Sequence, residues 1–323
     1  MNLTNNAVVG DSDRMPHPTG HAVTVLGSAN LDLVFLVDRI PQPGETMLAN
    51  SGQRHPGGKG LNQAVAAARA GATTNFIGAL GLDDAGELLA GTMADANIVS
   101  GQLRRQSIAT GQAFIVVENS GENTIVVASG ANATVETLTV EDASTIAASR
   151  VLLMQLELPV SVVTDAARQA HAAGVIVMLN AAPARALSSQ LLNNLDYLIV
   201  NEHEACLIAG ISDLFEASAK LSALVPQLVV TLGAAGSVLF VDGTELTRVG
   251  APRVTAIDTT GAGDTFCGAF AAAIAEGATF EDSARFATAA AALSVQQIGA
   301  VTSVPMRVAI DAALAKSGYS AIT

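Results

Sequence analysis

Short apolar runs rich in β-branched residues alternate along the chain with stretches whose apolar positions recur at helical spacing. The runs predict strands at Ala22–Gly27, Asn75–Ala79, Val151–Leu156, Val175–Leu179, Tyr197–Val200, Leu228–Leu232 and Ser237–Val241. The helical patterns predict helices at Gly60–Ala70, Asp84–Asn97, Val160–Ala173, Phe215–Val225, Asp264–Glu276, Glu281–Gln296 and Arg307–Lys316. Such alternation implies an α/β fold of parallel strands joined by crossover helices. Val151-Leu-Leu-Met is apolar on both faces, as a strand covered on both sides must be.

Two segments break the pattern. Leu33–Arg54 holds Pro41, Pro43 and Gly44 among short extended pieces. Thr110–Ser129 reads as a hairpin, with Ala113–Val117 and Thr124–Ala128 flanking a turn at Asn119-Ser-Gly121. Together they predict a small β-sheet standing off the main domain. The expected organisation is a flexible tail at 1–21, polar and carrying Pro16 and Pro18. One α/β domain follows at 22–317, with lid segments of about 33–54 and 110–129 inserted, and a short tail at 318–323.

Composition narrows the function classes. Half of the 323 residues are hydrophobic, but only 3% are aromatic and none is Trp, so the core must be built from Ala, Val, Leu and Ile. No uninterrupted run of large apolar residues is long enough to cross a bilayer, and the start lacks the pattern of a secretory signal. A net charge of −13 argues against nucleic acid as a partner. An acidic chain that handles a phosphate must supply positive potential locally, from helix N-termini or a bound cation. Cys206 and Cys267, far apart and in helical contexts, read as reduced thiols in a cytoplasmic protein.

The candidate chemistry centres on Asp258-Thr-Thr-Gly261-Ala262-Gly263-Asp264-Thr-Phe. Free N–H groups of Gly261, Ala262 and Gly263 at a helix start attract an anion, phosphate above all. A carboxylate at Asp264 would repel that phosphate unless it takes a proton from an attacking hydroxyl beside it; Asp264 also suits a plain N-cap. Asn30 and Asp32 follow the first strand, where α/β sheets bind ligands, and could grip a vicinal diol or serve a turn. Gly57-Gly58-Lys59-Gly60 is not a Walker A loop, because position 53 is Gln and position 60 is Gly. It reads as close backbone approach to a small ligand, with Lys59 and Asn62 adding polar contacts, or as a structural turn. Asn201-Glu202-His203-Glu204 could hold Mg²⁺ through water, or Glu204 could sit at a helix start. Thr231-Leu-Gly233-Ala-Ala-Gly236 permits backbone close to a nucleotide. A dinucleotide fingerprint is missing after the first strand, where position 29 is Ala.

In order and spacing these motifs, with Gln155-Leu-Glu157, resemble those of the ribokinase-like (PfkB) family of sugar and nucleoside kinases, from about Val23 to Ala312. The resemblance implies a three-layer αβα fold with a mostly parallel central sheet and a β-sheet lid over a sugar site. It implies phosphoryl transfer from ATP to a sugar, D-ribose at its 5-hydroxyl being the expected acceptor. Other members act on nucleosides, fructose or sugar acids, and a non-catalytic sugar-binding protein on this fold is the alternative from another class. Carried over, Asp264 is the base and Gly261, Ala262 and Gly263 form the anion hole. Asn30, Asp32, Gly58, Lys59, Asn62 and Glu157 hold the sugar. Asn201, Thr231, Gly233, Gly236 and Gly263 hold ATP, with Glu204 serving Mg²⁺. The loop Gln297–Pro305 with the Asp258 turn would wrap K⁺ through Asp258, Thr260, Ser294, Gln297, Gly299 and Ser303. A homodimer through the lid is also implied, since a small isolated sheet has open edges.

Overall fold

A computed structural model describes residues 20–119 and 121–316. The expected tails at 1–21 and 318–323, apart from Gly20 and His21, lie outside the described residues, as does Ser120 of the expected turn. In chain order the strands are β1 (Val23–Leu26), β2 (Asn30–Val37), β3 (Ser51–Gly57), β4 (Thr74–Gly81), β5 (Val99–Gln106), β6 (Gly111–Glu118) and β7 (Asn123–Ala128). They continue with β8 (Val151–Met154), β9 (Ile176–Asn180), β10 (Tyr197–Asn201), β11 (Gln227–Thr231), β12 (Ser237–Val241) and β13 (Thr244–Val249). The helices are α1 (Lys59–Arg69), α2 (Asp84–Asp95), α3 (Val140–Ala147), α4 (Val160–Ala172) and α5 (Ser189–Leu192). After these come α6 (Glu202–Ala209), α7 (Leu214–Ser222), α8 (Ala262–Glu276), α9 (Phe280–Ser294) and α10 (Arg307–Lys316).

The central sheet has the order β13-β12-β11-β10-β9-β8-β1-β4-β5. It is parallel except at β12 and β13, which run antiparallel. Strand alternation divides the core into two halves. Val151 and Leu153 of β8 face one half, with Leu61 of α1, Met93 of α2, Phe270 of α8, Phe286 of α9 and Leu314 of α10. Leu152 and Met154 face the other, with Ile146 of α3, Val163 of α4, Ala205 of α6 and Leu221 of α7. Each fully buried Leu or Phe contributes about 1.5–3 kcal/mol. The result is the αβα sandwich that doubly covered strands demand. No helix among the described residues is long and apolar enough to cross a membrane.

Four strands, in the order β3-β2-β6-β7, form a second sheet. Its first strand starts at Asn30, so Asn30 and Asp32 lie within this sheet rather than in a connection after β1. Edge strands β5 and β13 had no sequence signal. Arg104, Arg105, Glu245 and Arg248 interrupt them, because an edge strand keeps one side in water. The short helices α3, α5 and α6 also escaped the periodicity, being too brief to show it. Helix α7 stops at Ser222 rather than Val225 and is started by Asp213, whose side chain accepts from Glu216 N.

Helix α8 begins at Ala262, two residues earlier than the pattern predicted. Its N-cap is Gly261, at a φ of 74° that glycine tolerates, and no side chain caps it. The capping alternative for Asp264 therefore fails: Asp264 sits in the first turn and is free for other contacts. Helices α1 and α8 pack through small residues. A Cβ on Gly268 would lie 2.3 Å from the Gln63 carbonyl oxygen and 2.5 Å from the Ala66 Cβ. Glycine there lets the two helices approach, which brings the start of α1 against the start of α8.

Candidate active site

The parallel strands β1, β8, β9, β10 and β11 end on one side of the sheet, and the chain order reverses at β1 and β8. Ligands bind at such switch points. Here Ser28, just after β1, donates through Oγ to Glu157 Oε2, beyond β8. Lys59 N, opening α1, donates to the same oxygen at 3.1 Å. The backbones of Gly27 and Gly60 nearly touch, since a Cβ on Gly27 would lie 2.6 Å from Gly60 Cα.

Asp264 is buried at the centre. Its Oδ2 accepts from Asn62 Nδ2 at 2.9 Å and its Oδ1 from Gln63 Nε2 at 2.9 Å. The N–H groups of Gly261, Gly263 and Asp264 have no hydrogen-bond partner among the described residues. Ala262 differs from expectation, because its N–H is tied to the Thr259 carbonyl at 3.2 Å. A Cβ on Gly263 would meet nothing within 4 Å, so this helix end faces open space.

The lid sheet delivers Asn30 and Asp32 to the same place. Asn132, buried beyond β7, holds Asn30 by donating from Nδ2 to Asn30 Oδ1 at 2.8 Å. The same side chain brackets Ala29, accepting from its N–H at 3.1 Å. Asp32 lies under Gly57, where a Cβ would strike its carboxylate within 2.1–2.5 Å. Burial first, then the charges of Glu157 and Asp264, push the Asp32 pKa up to about 7. The Asp264 carboxylate, followed by Glu157 and Glu204, holds the Lys59 ammonium above its usual pKa in spite of burial. Gly58, at φ 88°, turns the chain from β3 into α1.

Asn201 and Thr231 are register partners at the ends of β10 and β11. Asn201 and Glu204 form a reciprocal capping box on α6: Glu204 N donates to Asn201 Oδ1 at 2.7 Å, and Asn201 N to Glu204 Oε2 at 2.9 Å. The helix-start reading of Glu204 thus holds, and one carboxylate oxygen is left over. Burial raises the Glu204 pKa, with Lys59 and Asp264 both close enough to influence it. Gly233 and Gly236, at φ 53° and 99°, close the turn between β11 and β12, where Leu232 N donates to Gly236 O at 2.7 Å.

The Asp258 turn and the loop after α9 are pinned together. Ile257 N and Asp258 N donate to the Val295 carbonyl at 2.7 and 3.2 Å. Asp258 accepts from Thr260 N on Oδ1 and from Gly299 N on Oδ2, at 2.9 and 2.8 Å. Burial works to raise the Asp258 pKa, but hydrogen bonds from the Thr260 side chain and from the Gly299 and Thr260 N–H groups outweigh it and keep the group below its ordinary value. Ser294 and Ser303 spend their hydroxyl protons on the Ala291 and Ala300 carbonyls, which leaves their oxygens as acceptors.

The sequence reading gave no role to Ser28, Asn132 or Asn180, quoted Gln155 only as part of a motif, and did not foresee the contact of Gln63 to Asp264. The available signal was a polar residue directly after an apolar strand, as at Gln155 and Asn180.

A buried carboxylate next to helix-start N–H groups without partners among the described residues, with a second polar cluster carried in by a separate sheet, suits an enzyme that moves a phosphoryl group onto a hydroxyl. The chain belongs to the pfkB family of carbohydrate kinases, whose model matches residues 21–307. It is 44% identical over 299 residues to the ribokinase of Haemophilus influenzae, covering 88% of this chain and 95% of that protein. It is 37% identical over 306 residues to the ribokinase of Schizosaccharomyces pombe, covering 90% of this chain and 96% of that one. Among solved structures, Arabidopsis thaliana ribokinase complexed with ribose and ATP superposes with a TM-score of 0.85 at 35% identity, over 93% of this chain and 99% of that one. The αβα sandwich with its small β-sheet is thus the ribokinase fold.

Proposed function

We propose that this kinase transfers the γ-phosphoryl group of ATP to the 5-hydroxyl of D-ribose, giving ribose 5-phosphate and ADP. The observation that carries the reading is Asp264: a buried carboxylate held by two amides, in a first helical turn where the N–H groups of Gly261, Gly263 and Asp264 have no partner among the described residues. The similarity to ribokinases, one of them solved with ribose and ATP, supports the choice of substrates. Asp264 takes the proton of the attacking hydroxyl as the new O–P bond forms and the bond to ADP breaks. The N–H groups of Gly261, Gly263 and Asp264 stabilise charge on the transferring group.

Asn30, Asp32, Gly58, Lys59, Asn62 and Glu157 recognise the sugar. Asn132 orients Asn30 so that its oxygen is filled and its NH₂ is offered. Asn201, Thr231, Gly233, Gly236 and Gly263 form the nucleotide side. The domain comprises 22–317, with lid segments of about 33–54 and 110–129 that exclude water from the reaction.

Mg²⁺ fits a site without a protein cage. Among the described residues no three His, Cys, Asp or Glu side chains cluster to hold a metal. Glu204 has one oxygen outside its capping box and would reach the ion through water. The ion's chemistry is to neutralise the ATP phosphates. K⁺ fits the pinned turn, where Asp258, Thr260, Ser294, Gln297, Gly299 and Ser303 offer one carboxylate and otherwise neutral oxygens.

The outer lid strand β7 is exposed throughout, with Ile125, Val126 and Val127 at 52%, 63% and 46%. We assign this face to a second copy of the chain. Two free thiols, Cys267 buried and Cys206 partly so, suit a reducing cytoplasm.

An ADP-coupled assay over ribose, 2-deoxyribose, fructose and adenosine tests the assignment. The highest kcat/KM is expected for ribose, because an unmatched substrate leaves buried polar groups unpaired. A higher value for adenosine or fructose overturns the sugar and keeps the kinase.

A further inference from the structure

Gln63 is wholly buried on α1, yet its amide is fully engaged. Its Nε2 donates to Asp264 Oδ1 at 2.9 Å and to Asn180 Oδ1 at 3.1 Å. Its Oε1 accepts from Gln155 Nε2 at 2.6 Å. Asn180 in turn donates from Nδ2 to the Ile199 carbonyl at 3.3 Å. A carboxylate and a backbone carbonyl only accept, so both ends of this chain fix the direction of the amides between them. Turning the Gln63 amide over would set its oxygen against Asp264 and Asn180, and its nitrogen against Gln155, three repulsive contacts at once. Gln155 leaves its own Oε1 buried without a partner while it gives its N–H to Gln63. An unfilled buried acceptor is costly, and here it accompanies a fixed donor direction.

We propose that Gln63 is a positioning residue for the base, and that Gln155, Gln63 and Asn180 form an amide relay holding Asp264 in one orientation. The proposal rests on Asp264 being the base and deepens that assignment. With Gln63 on Oδ1 and Asn62 on Oδ2, each carboxylate oxygen keeps one lone pair, and the substrate proton must go to one of these. The other charged or titratable groups facing Asp264 are Lys59 of α1, Asp32 of β2, Glu204 of α6 and Cys267 of α8. None of them is altered in the variants below.

Gln63→Met keeps the length of the side chain and removes the donor. Its kcat should fall about ten- to a hundredfold, as expected for a displaced reacting group, with the KM for sugar within about threefold of wild type. Gln155→Glu supplies a sharper readout. Protonated, the new carboxyl donates to Gln63 Oε1 as the amide did. Ionised, it draws Gln63 Nε2 toward itself and turns Oε1 onto Asp264, so kcat should decline as pH rises where wild type does not. A Gln63→Met enzyme with wild-type kcat, or a loss confined to KM, overturns the relay; so does a wild-type pH profile for Gln155→Glu. Thermal melts establish that the variants are folded, and if Gln63→Met is not, Gln155→Glu, nearly identical in shape, decides alone. Rates are taken relative to wild type on the sugar it turns over fastest, so an error in the sugar leaves the test intact. A wild-type enzyme inactive on every sugar would instead defeat the kinase reading, and the base with it.

Discussion

Replacing Asp264 with Asn removes the proposed base and changes almost nothing in shape. Both carboxylate oxygens accept from amide donors, Asn62 on one side and Gln63 on the other. An Asn side chain has one oxygen and one NH₂, so one of these donors must face another donor. The lost charge-assisted bond is worth about 1.5–3 kcal/mol, and the unsatisfied buried donor costs about 1–3 kcal/mol. Part of that is offset, because the neutral amide no longer repels Asp32 and Glu204, both of which feel the Asp264 charge. A net cost of about 1–3 kcal/mol lowers the melting temperature of a chain this size by several degrees and leaves it folded. The kinetic effect is of another order. Loss of general-base catalysis alone is worth about 10²–10⁴ in kcat. The assay is ADP release at saturating ATP and ribose, with a thermal melt of the same preparation. A folded variant that keeps more than about a tenth of wild-type kcat refutes the base assignment.

Asp32→Ala should weaken ribose binding by at least about tenfold in calorimetry, since charge-assisted hydrogen bonds of ~1.5–3 kcal/mol each are lost; an unchanged Kd removes Asp32 from the pocket. With its pKa pushed up to about 7, Asp32 is largely protonated below neutrality, so ribose affinity should rise from pH 6 to 8 and become flat in Asp32→Asn. The same shift fixes the sign for stability: a carboxyl raised in the folded state contributes stability that is complete below its unfolded value near 3.8 and is lost as pH rises through 7. Asp32→Asn should therefore melt higher than wild type at pH 8 and not at pH 4, and the reverse order would contradict the burial of this group. Potassium should activate more than sodium or lithium, because the proposed site is mostly neutral oxygens that suit a large, weakly hydrated cation; equal rates in the three salts count against it.

The parallel strands and long helices were legible because each has an unbroken period in its apolar residues. The edge strands β5 and β13 were not, since charged side chains on their wet faces erase that period. The glycine-rich start of α8 and the motif at Gly57–Gln63 announced themselves by composition. What composition could not reveal was which partner each polar residue meets. Gln63 and Asp264 are 201 positions apart, and only the close packing of α1 on α8 past Gly268 joins them. Asn180 looked like an ordinary strand end, and Gln155 stood in a motif without a partner, until the sheet order placed β8 and β9 side by side. Asn132 carries no motif and is found only by following the hydrogen bonds of Asn30.

The site gathers Glu157, Glu204 and Asp264 around the Lys59 ammonium, with Asp32 close to Glu157 and Asp264. Each comes from a different part of the chain, and Asp264 acts on its neighbours in opposite senses. Its charge holds the Lys59 ammonium above its usual pKa and helps to raise the pKa of Asp32. At Asp32 burial comes first and the charges of Glu157 and Asp264 second, and together they push its pKa up to about 7. A sugar whose hydroxyls donate to Asp32 would stabilise its carboxylate and so pull its pKa back down. Substrate binding and ionisation of the site are then linked: the hydroxyls that identify the sugar also settle the charges around Asp264. On the proposed assignment of Asp264 as base, the hydroxyls that place the acceptor also fix the charge beside it, and water, which lacks a sugar's fixed set of hydroxyls, gains less from the site.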